Sequence, residues 1–251
     1  GPRPEADVRA LLKEAGLPVL PYYGFSSGEW RADRQGVMAE IQQELGVDEP
    51  LVVKPADLGS SIGIEVALGR KELLERIPKA LAYSRRVLVE PLLSPCQELT
   101  CAVLGNGESQ TCSAFEEPLR AAEILSFADK YLEAAKTNGS KRLPAELDKA
   151  TEQQLTRYAL KAFRAVDGRG VCRIDFLLDE KHKAYINEVN TIPGALAFYL
   201  FEPRGLAFSA LLTTLIDLGL QAGEEAQSLI RVYDSNILAA GKGKGEAKPG
   251  A

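Results

Sequence analysis

Apolar and polar positions alternate along this chain in two rhythms, and each change of rhythm marks an element. ADVRALLKEAG (6–16) repeats its apolar residues at helical spacing and stops at a glycine, the residue suited to the turn that ends a helix. PVLPYYGF (18–25) predicts an extended edge segment, since its prolines cannot donate to a ladder. VMAEIQQELG (37–46) and KELLERIPKALAY (71–83) predict helices, the second bent at Pro78. LVVKPA (51–56), IGIEVAL (62–68) and RVLVEPLL (86–93) read as strands. Residues from about 16 to 93 therefore form a mixed α/β unit.

QELTCAVLGNGES (97–109) predicts a hairpin turning at Gly105-Asn106-Gly107. From Glu116 to about Pro144 the chain is polar and irregular. Loops of that length in compact domains are functional lids or disordered segments. ATEQQLTRYALKAFRAV (150–166) is a long helix, and a closing helix pair is expected from about Gly205 to Tyr233. Its most apolar run, LAFSALLTTLIDLGL (206–220), is too short for a bilayer and reads as a helix packed on the core. The end, GKGKGEAKPGA, lacks apolar anchors and predicts a disordered tail over 237–251.

The strands VCRIDFLL (171–178) and YINEVN (185–190) carry the first candidate chemistry. Period-two alternation puts Arg173 and Asp175 on one face, with Cys172, Ile174, Phe176 and Leu178 on the other. Glu188 and Asn190 likewise point one way, and DEKHKA between the strands is short enough for a hairpin. Asp175, Glu188 and Asn190 then offer oxygen ligands of the kind a hard cation takes, with Arg173 placed to neutralise developing negative charge. An exposed polar sheet face is the competing reading. In LVVKPADLGSSIGIEVA (51–67), Lys54 ends a buried strand and a Gly/Ser loop follows, able to turn backbone N–H groups toward phosphate. Taken alone, that loop is better read as a plain hairpin turn. In VLVEPLLSPCQELT (87–100), Glu90 ends one strand and Glu98 begins the next; solvated strand ends are the plainer account.

Composition narrows the classes. The 251 residues are 45% hydrophobic and 26% charged, an ordinary globular profile, and the formal charge of −5 gives no footprint for a nucleic-acid partner. A single histidine, His182, argues against a histidine-based zinc site or a Ser-His-Asp triad. The four cysteines show no C-x-x-C spacing and read as reduced thiols, consistent with a cytoplasmic protein. No signal peptide or membrane span is expected.

In order along the chain, LVVKPADLGSSIGIEVA, VLVEP followed by QELTCAVLGN, DKYL (129–132) and GVCRIDFLLDE with YINEVNTIPG resemble the D-alanine–D-alanine ligases of the ATP-grasp superfamily. The resemblance covers roughly residues 6–220. It implies an ATP-grasp fold in which two α/β lobes clasp a nucleotide: a central lobe over 1–93 and a C-terminal lobe over 94–236. Lys54 would contact ATP phosphates, under a loop formed by Gly59, Ser60, Ser61 and Gly63. Glu90 with Pro91, Leu92 and Leu93 would face adenine, and Glu98 the ribose. Asp175, Glu188 and Asn190 would hold two Mg²⁺ ions, or Mn²⁺ in their place. Arg173, Gly194, Lys130 and Ser60 would serve the reacting groups, with Lys130 and Tyr131 in a lid. The implied activity is ATP-dependent joining of a carboxylate to an amine through an acyl phosphate, in peptidoglycan synthesis.

Three departures bear on that expectation. The family's N-terminal substrate domain has no counterpart, so a truncated or naturally short chain, a partner chain or a homodimer are open readings. The position of a family lysine falls near Glu5. The run after Pro193-Gly194, ALAFYLFEP, has no Ser or Thr, and Tyr199 stands where a family serine helps bind the second substrate. The lid lacks the family's T-x-Y step. Ligation of other amino acids or of a larger acceptor, and a non-catalytic ATP-binding module, stand beside D-alanyl-D-alanine formation.

Overall fold

The computed structural model describes residues 5–58, 62–118 and 141–228. Two four-stranded antiparallel sheets organise them. The first has the order β1 (Tyr23–Ser26), β4 (Arg86–Pro91), β2 (Leu51–Pro55), β3 (Glu65–Ala67). Val53, Val87 and Val89 turn one face onto α2 (Ser27–Ala32), α3 (Arg34–Leu45) and α4 (Gly69–Leu81), closing a core with Trp30, Met38, Ile41, Leu73 and Ile77. Period two then places Lys54 and Glu90 on the opposite face, with Val52 directly across from Glu90.

The second sheet has the order β10 (Ala184–Asn190), β9 (Gly170–Leu178), β5 (Gln97–Gly105), β6 (Gln110–Cys112). Leu99, Cys101, Cys172, Ile174, Phe176 and Ile186 face α1 (Glu5–Glu14) and α5 (Lys149–Ala165), which contributes Leu155 and Phe163. Val8 and Leu12 of α1 join this second core rather than the first sheet's. Gly16, at φ +67°, turns the chain out of α1, a conformation that a side chain would oppose. On the other face Ala102, Leu104 and Val171 are covered by Leu200, Phe201 and Leu211. Farther along that face lie Arg173, Asp175, Glu188 and Asn190. A two-stranded ribbon pairs β7 (Glu117–Pro118) with β8 (Lys141–Arg142).

Several expectations are corrected. The closing helix pair is one helix, α6 (Phe208–Ser228), preceded by two 3₁₀ segments, Gly194–Leu200 and Glu202–Arg204. Gly205, in the left-handed region, separates these from α6. Only Leu211 of α6 is fully buried; Phe208, Leu212, Ile216 and Leu220 form an outward stripe at intervals of four. The strand expected over 62–68 contracts to Glu65–Ala67 at a sheet edge. The six-residue helix α2 was not anticipated, although SSGE spells its capping box, with Ser26 and Glu29 bonding reciprocally. Among the described residues no single helix is long and apolar enough to cross a membrane. The expected tail over 237–251 lies outside the described residues.

Candidate active site

Three strands of the second sheet bring the polar side chains together. Asp175 lies opposite Thr100 on one side and Glu188 on the other, while Arg173 lies opposite Asn190. The Arg173 guanidinium donates to both Asp175 oxygens at 2.8–3.2 Å, and Thr100 Oγ1 donates to Asp175 Oδ1 at 2.9 Å. Asn190 Oδ1 accepts the Ile192 N–H at 3.0 Å, bending the chain toward Pro193-Gly194. The Glu188 side chain has no hydrogen bond or ion pair among the described residues. Burial, Asp175 and Glu5 push its carboxyl above the usual carboxylate range, against partial relief from Arg173 and Lys54.

The shared face depends on a bulge. Ile186 pairs with Phe176 on the core side, yet Glu188, two residues on, pairs with Asp175 on the polar side; Asn187 is the extra residue between them. Strict alternation from Ile186 would drive Glu188 into the apolar core. That conflict within INEVN was the available signal for the bulge.

Lys54 and Glu90 are not separate strand-end charges. Because β2 and β4 are neighbours, Lys54 Nζ forms an ion pair with Glu90 Oε1, and it donates to Asn187 Oδ1 at 3.2 Å. A further partner escaped the sequence reading entirely. Arg9, 1% exposed, places Nη1 2.6 Å from Glu90 Oε2, donates through Nη2 to the Asn187 carbonyl at 3.0 Å, and donates through Nε to Glu5 at 3.0 Å. Burial disfavours the Glu90 charge, but Lys54 and Arg9 outweigh it and hold the carboxyl below its ordinary value of 4.5.

A depressed carboxylate adds stability above its unfolded value, and that stability is lost as pH falls through the folded one. Glu90→Gln is therefore expected to lower stability at pH 7 by about 3 kcal/mol, as breaking a buried pair does. Its stability should then change less than the parent's in melts taken downward from pH 4.5. Identical acid slopes for the two proteins would contradict this.

Beyond the sheet, Gly194 is exposed and opens a turn in which Ala195, Leu196 and Ala197 all take positive φ, between 49° and 55°. Tyr199 then reaches the edge of the polar face. Its hydroxyl donates to Glu116 Oε1 at 3.3 Å, and Lys141 lies 3.9 Å above its ring and 2.8 Å from Glu116 Oε2. Glu116 is bridged to Thr100, which carries this cluster to the margin of the Asp175 row.

Residues 11–217 match the family described as "D-ala D-ala ligase C-terminus". The chain belongs to the D-alanine–D-alanine ligase C-terminal family.

Among relatives, it is 37% identical over 228 residues to a D-alanine–D-alanine ligase of Heliobacterium modesticaldum, with 89% of this chain and 60% of that one covered. It is 36% identical over 219 residues to one of Acetivibrio thermocellus, covering 85% and 56%. The structure of the Coxiella burnetii D-alanine–D-alanine ligase superposes with TM-score 0.72 at 26% identity, over 90% of this chain and 60% of that one. The VanG D-Ala:D-Ser ligase of Enterococcus faecalis superposes with TM-score 0.71 at 28% identity, over 85% and 60%. The fold is the ATP-grasp fold. This member spans about 60% of the length of the relatives it matches.

Of the family positions expected from sequence, Lys54, Glu90, Arg173, Asp175, Glu188 and Asn190 converge through the contacts above. Glu98 lies on the same face of β5 as Thr100, two residues earlier. Pro91, next to Glu90, ends β4 and is followed by Leu92 and Leu93, and the Leu92 N–H donates to the Pro50 carbonyl at 2.9 Å. Gly63 takes φ +74°, where an added Cβ would lie 2.8 Å from Tyr83 and 2.9 Å from Pro55. Gly59, Ser60, Ser61, Lys130 and Tyr131 lie outside the described residues.

Proposed function

We propose that this chain forms the nucleotide- and metal-binding part of an ATP-dependent ligase that joins a carboxylate to the amine of an amino acid. The observation that carries the reading is the convergence of Arg173, Asp175, Glu188 and Asn190 on one sheet face, with Lys54 bonded to the same β10 at Asn187.

The donor chemistry fits a hard divalent cation. Asp175, Glu188 and Asn190 offer oxygen only, and the Glu188 carboxylate faces Asp175 with its charge uncompensated by any direct ion pair among the described residues. No group of three His, Cys, Asp or Glu residues suited to a metal occurs among the described residues. Two carboxylates and an amide suit Mg²⁺, which keeps waters and completes its shell with substrate phosphates. When bound, Mg²⁺ supplies charge neutralisation between phosphate oxygens.

In this reading Lys54 meets the phosphates, with Gly63 and the residues Gly59, Ser60 and Ser61 closing over them. Glu90 and Pro91 to Leu93 line the base side, and Glu98 the ribose. Arg173 and the Gly194 backbone steady negative charge on the reacting carboxyl, and Lys130 with Tyr131 belongs to the lid. The central lobe runs to about residue 93 and the C-terminal lobe from 94, with α1 docked on the latter. Activation by phosphorylation replaces hydroxide by phosphate as the leaving group; the protein's part is positioning and electrostatics. Such a ligase serves peptidoglycan synthesis in the cytoplasm.

D-alanine is the default acceptor. Tyr199, ringed by Lys141 and Glu116, favours a second reading in which the acceptor differs. The similarity to a D-Ala:D-Ser ligase is consistent with family members taking other acceptors. Calorimetry should detect ATP binding that strengthens with Mg²⁺. Phosphate release with a panel of D- and L-amino acids then identifies the acceptor. ATP binding absent with and without Mg²⁺ would refute the nucleotide assignment for this chain.

A further inference from the structure

The buried network behind Lys54 contains a cation that the proposed chemistry does not use. Arg9 and Lys54 both contact Glu90, but their situations differ. Arg9 is 1% exposed, fixed on α1, and divides its guanidinium among Glu5, Glu90 and the Asn187 carbonyl. The Tyr22 ring lies 5.8 Å from its Cζ. Lys54 is 12% exposed and holds Glu90 and Asn187 through one ammonium on a flexible stem. A planar, permanently charged fork suits a fixed partner, whereas a compact ammonium on four methylenes suits a mobile one.

Glu90 itself is 2% exposed. If Lys54 were its sole cation, movement of Lys54 toward an anionic ligand would strand a buried carboxylate. That penalty would be subtracted from the ligand's affinity. With Arg9 in place, Glu90 keeps a partner when Lys54 departs. The same guanidinium grips the carbonyl of the bulge residue next to Glu188, so the site's two halves share one fixed charge.

We propose that Arg9 is a positioning residue of the nucleotide site: it is the standing counter-charge of Glu90 that frees Lys54 to turn from Glu90 to an anionic ligand. This rests on the reading of Lys54 as a phosphate contact. Arg9 acts through Glu90 and touches no reacting atom.

The test is a double-mutant cycle read by calorimetric binding of Mg²⁺–ATP to the whole chain. Arg9→Met should weaken binding at least about tenfold, and Arg9→Lys, which keeps charge but loses the fork, by about threefold or more. In a Glu90→Gln background, where no buried carboxylate needs a partner, either Arg9 substitution should change affinity by less than about twofold. A residue that merely packed would give equal losses in both backgrounds. Equal losses, or no loss in the Glu90 background, would overturn the proposal. If Arg9→Met fails to fold, the Arg9→Lys arm decides by the same criterion. Absence of binding by the parent chain would instead remove the nucleotide reading, and the inference with it.

Discussion

Glu188→Gln is expected to bind ATP about as well as the parent without Mg²⁺ and to lose most of the Mg²⁺-dependent gain, a loss of at least about tenfold, or 1.4 kcal/mol. It should also melt at a higher temperature. Both effects come from one geometry. Glu188 faces Asp175 across β9 and β10, feels Glu5 from α1, and has no direct cationic partner among the described residues. Its charge opposes the empty fold and becomes useful only when a cation arrives. The isosteric amide removes the repulsion and the ligand charge together. Titrations with and without Mg²⁺, run beside thermal melts, separate the two. A variant that melts lower while retaining the Mg²⁺ gain would contradict the assignment.

The largest stability loss from a single truncation is expected at Phe163. Its ring is completely buried on α5 against the apolar face of the second sheet. The chain returns closely beneath it, since a Cβ on Gly168 would lie 2.7 Å from the ring. Phe163→Ala leaves a cavity in a surface already fitted around it and should cost about 3–5 kcal/mol. For a chain of this size that lowers the melting temperature by roughly 10 °C. Ile216→Ala, at 63% exposure on α6, should change stability by about 0.5 kcal/mol or less. Comparable losses at the two positions would mean that the outward stripe of α6 is covered in solution.

The strands were legible because apolar runs such as LVV, VLV and the alternating VCRIDFLL leave few other solutions. Asp175, Glu188 and Asn190 could be placed on one face because the period is local. The Lys54–Glu90 pair could not. The two residues lie on strands separated in sequence by β3 and α4, and their adjacency is a property of sheet order. Arg9 was harder still. Between Val8 and Leu12 it reads as a helix surface residue, and its partner Asn187 lies 178 positions away. The closing segment misled for a different reason. LAFSALLTTLIDLGL is apolar nearly all round, so it carries no phase from which a boundary or a buried side could be read.

The bulge at Asn187 separates two jobs within one strand. Ala184 and Ile186 turn to the core while Glu188 and Asn190 turn to the polar face, all at even positions because one supernumerary residue lies between them. What residue 187 adds is therefore its own contacts and not the facing of its neighbours. An exchange there alters one amide contact with Lys54. Excision of the residue would restore plain alternation from Ile186, keep Glu188 and Asn190 on the polar face and Val189 on the core, and take away the contacts that Asn187 makes with Lys54 and Arg9. The shorter count would serve facing alone; the longer one is what ties β10 to the buried cations.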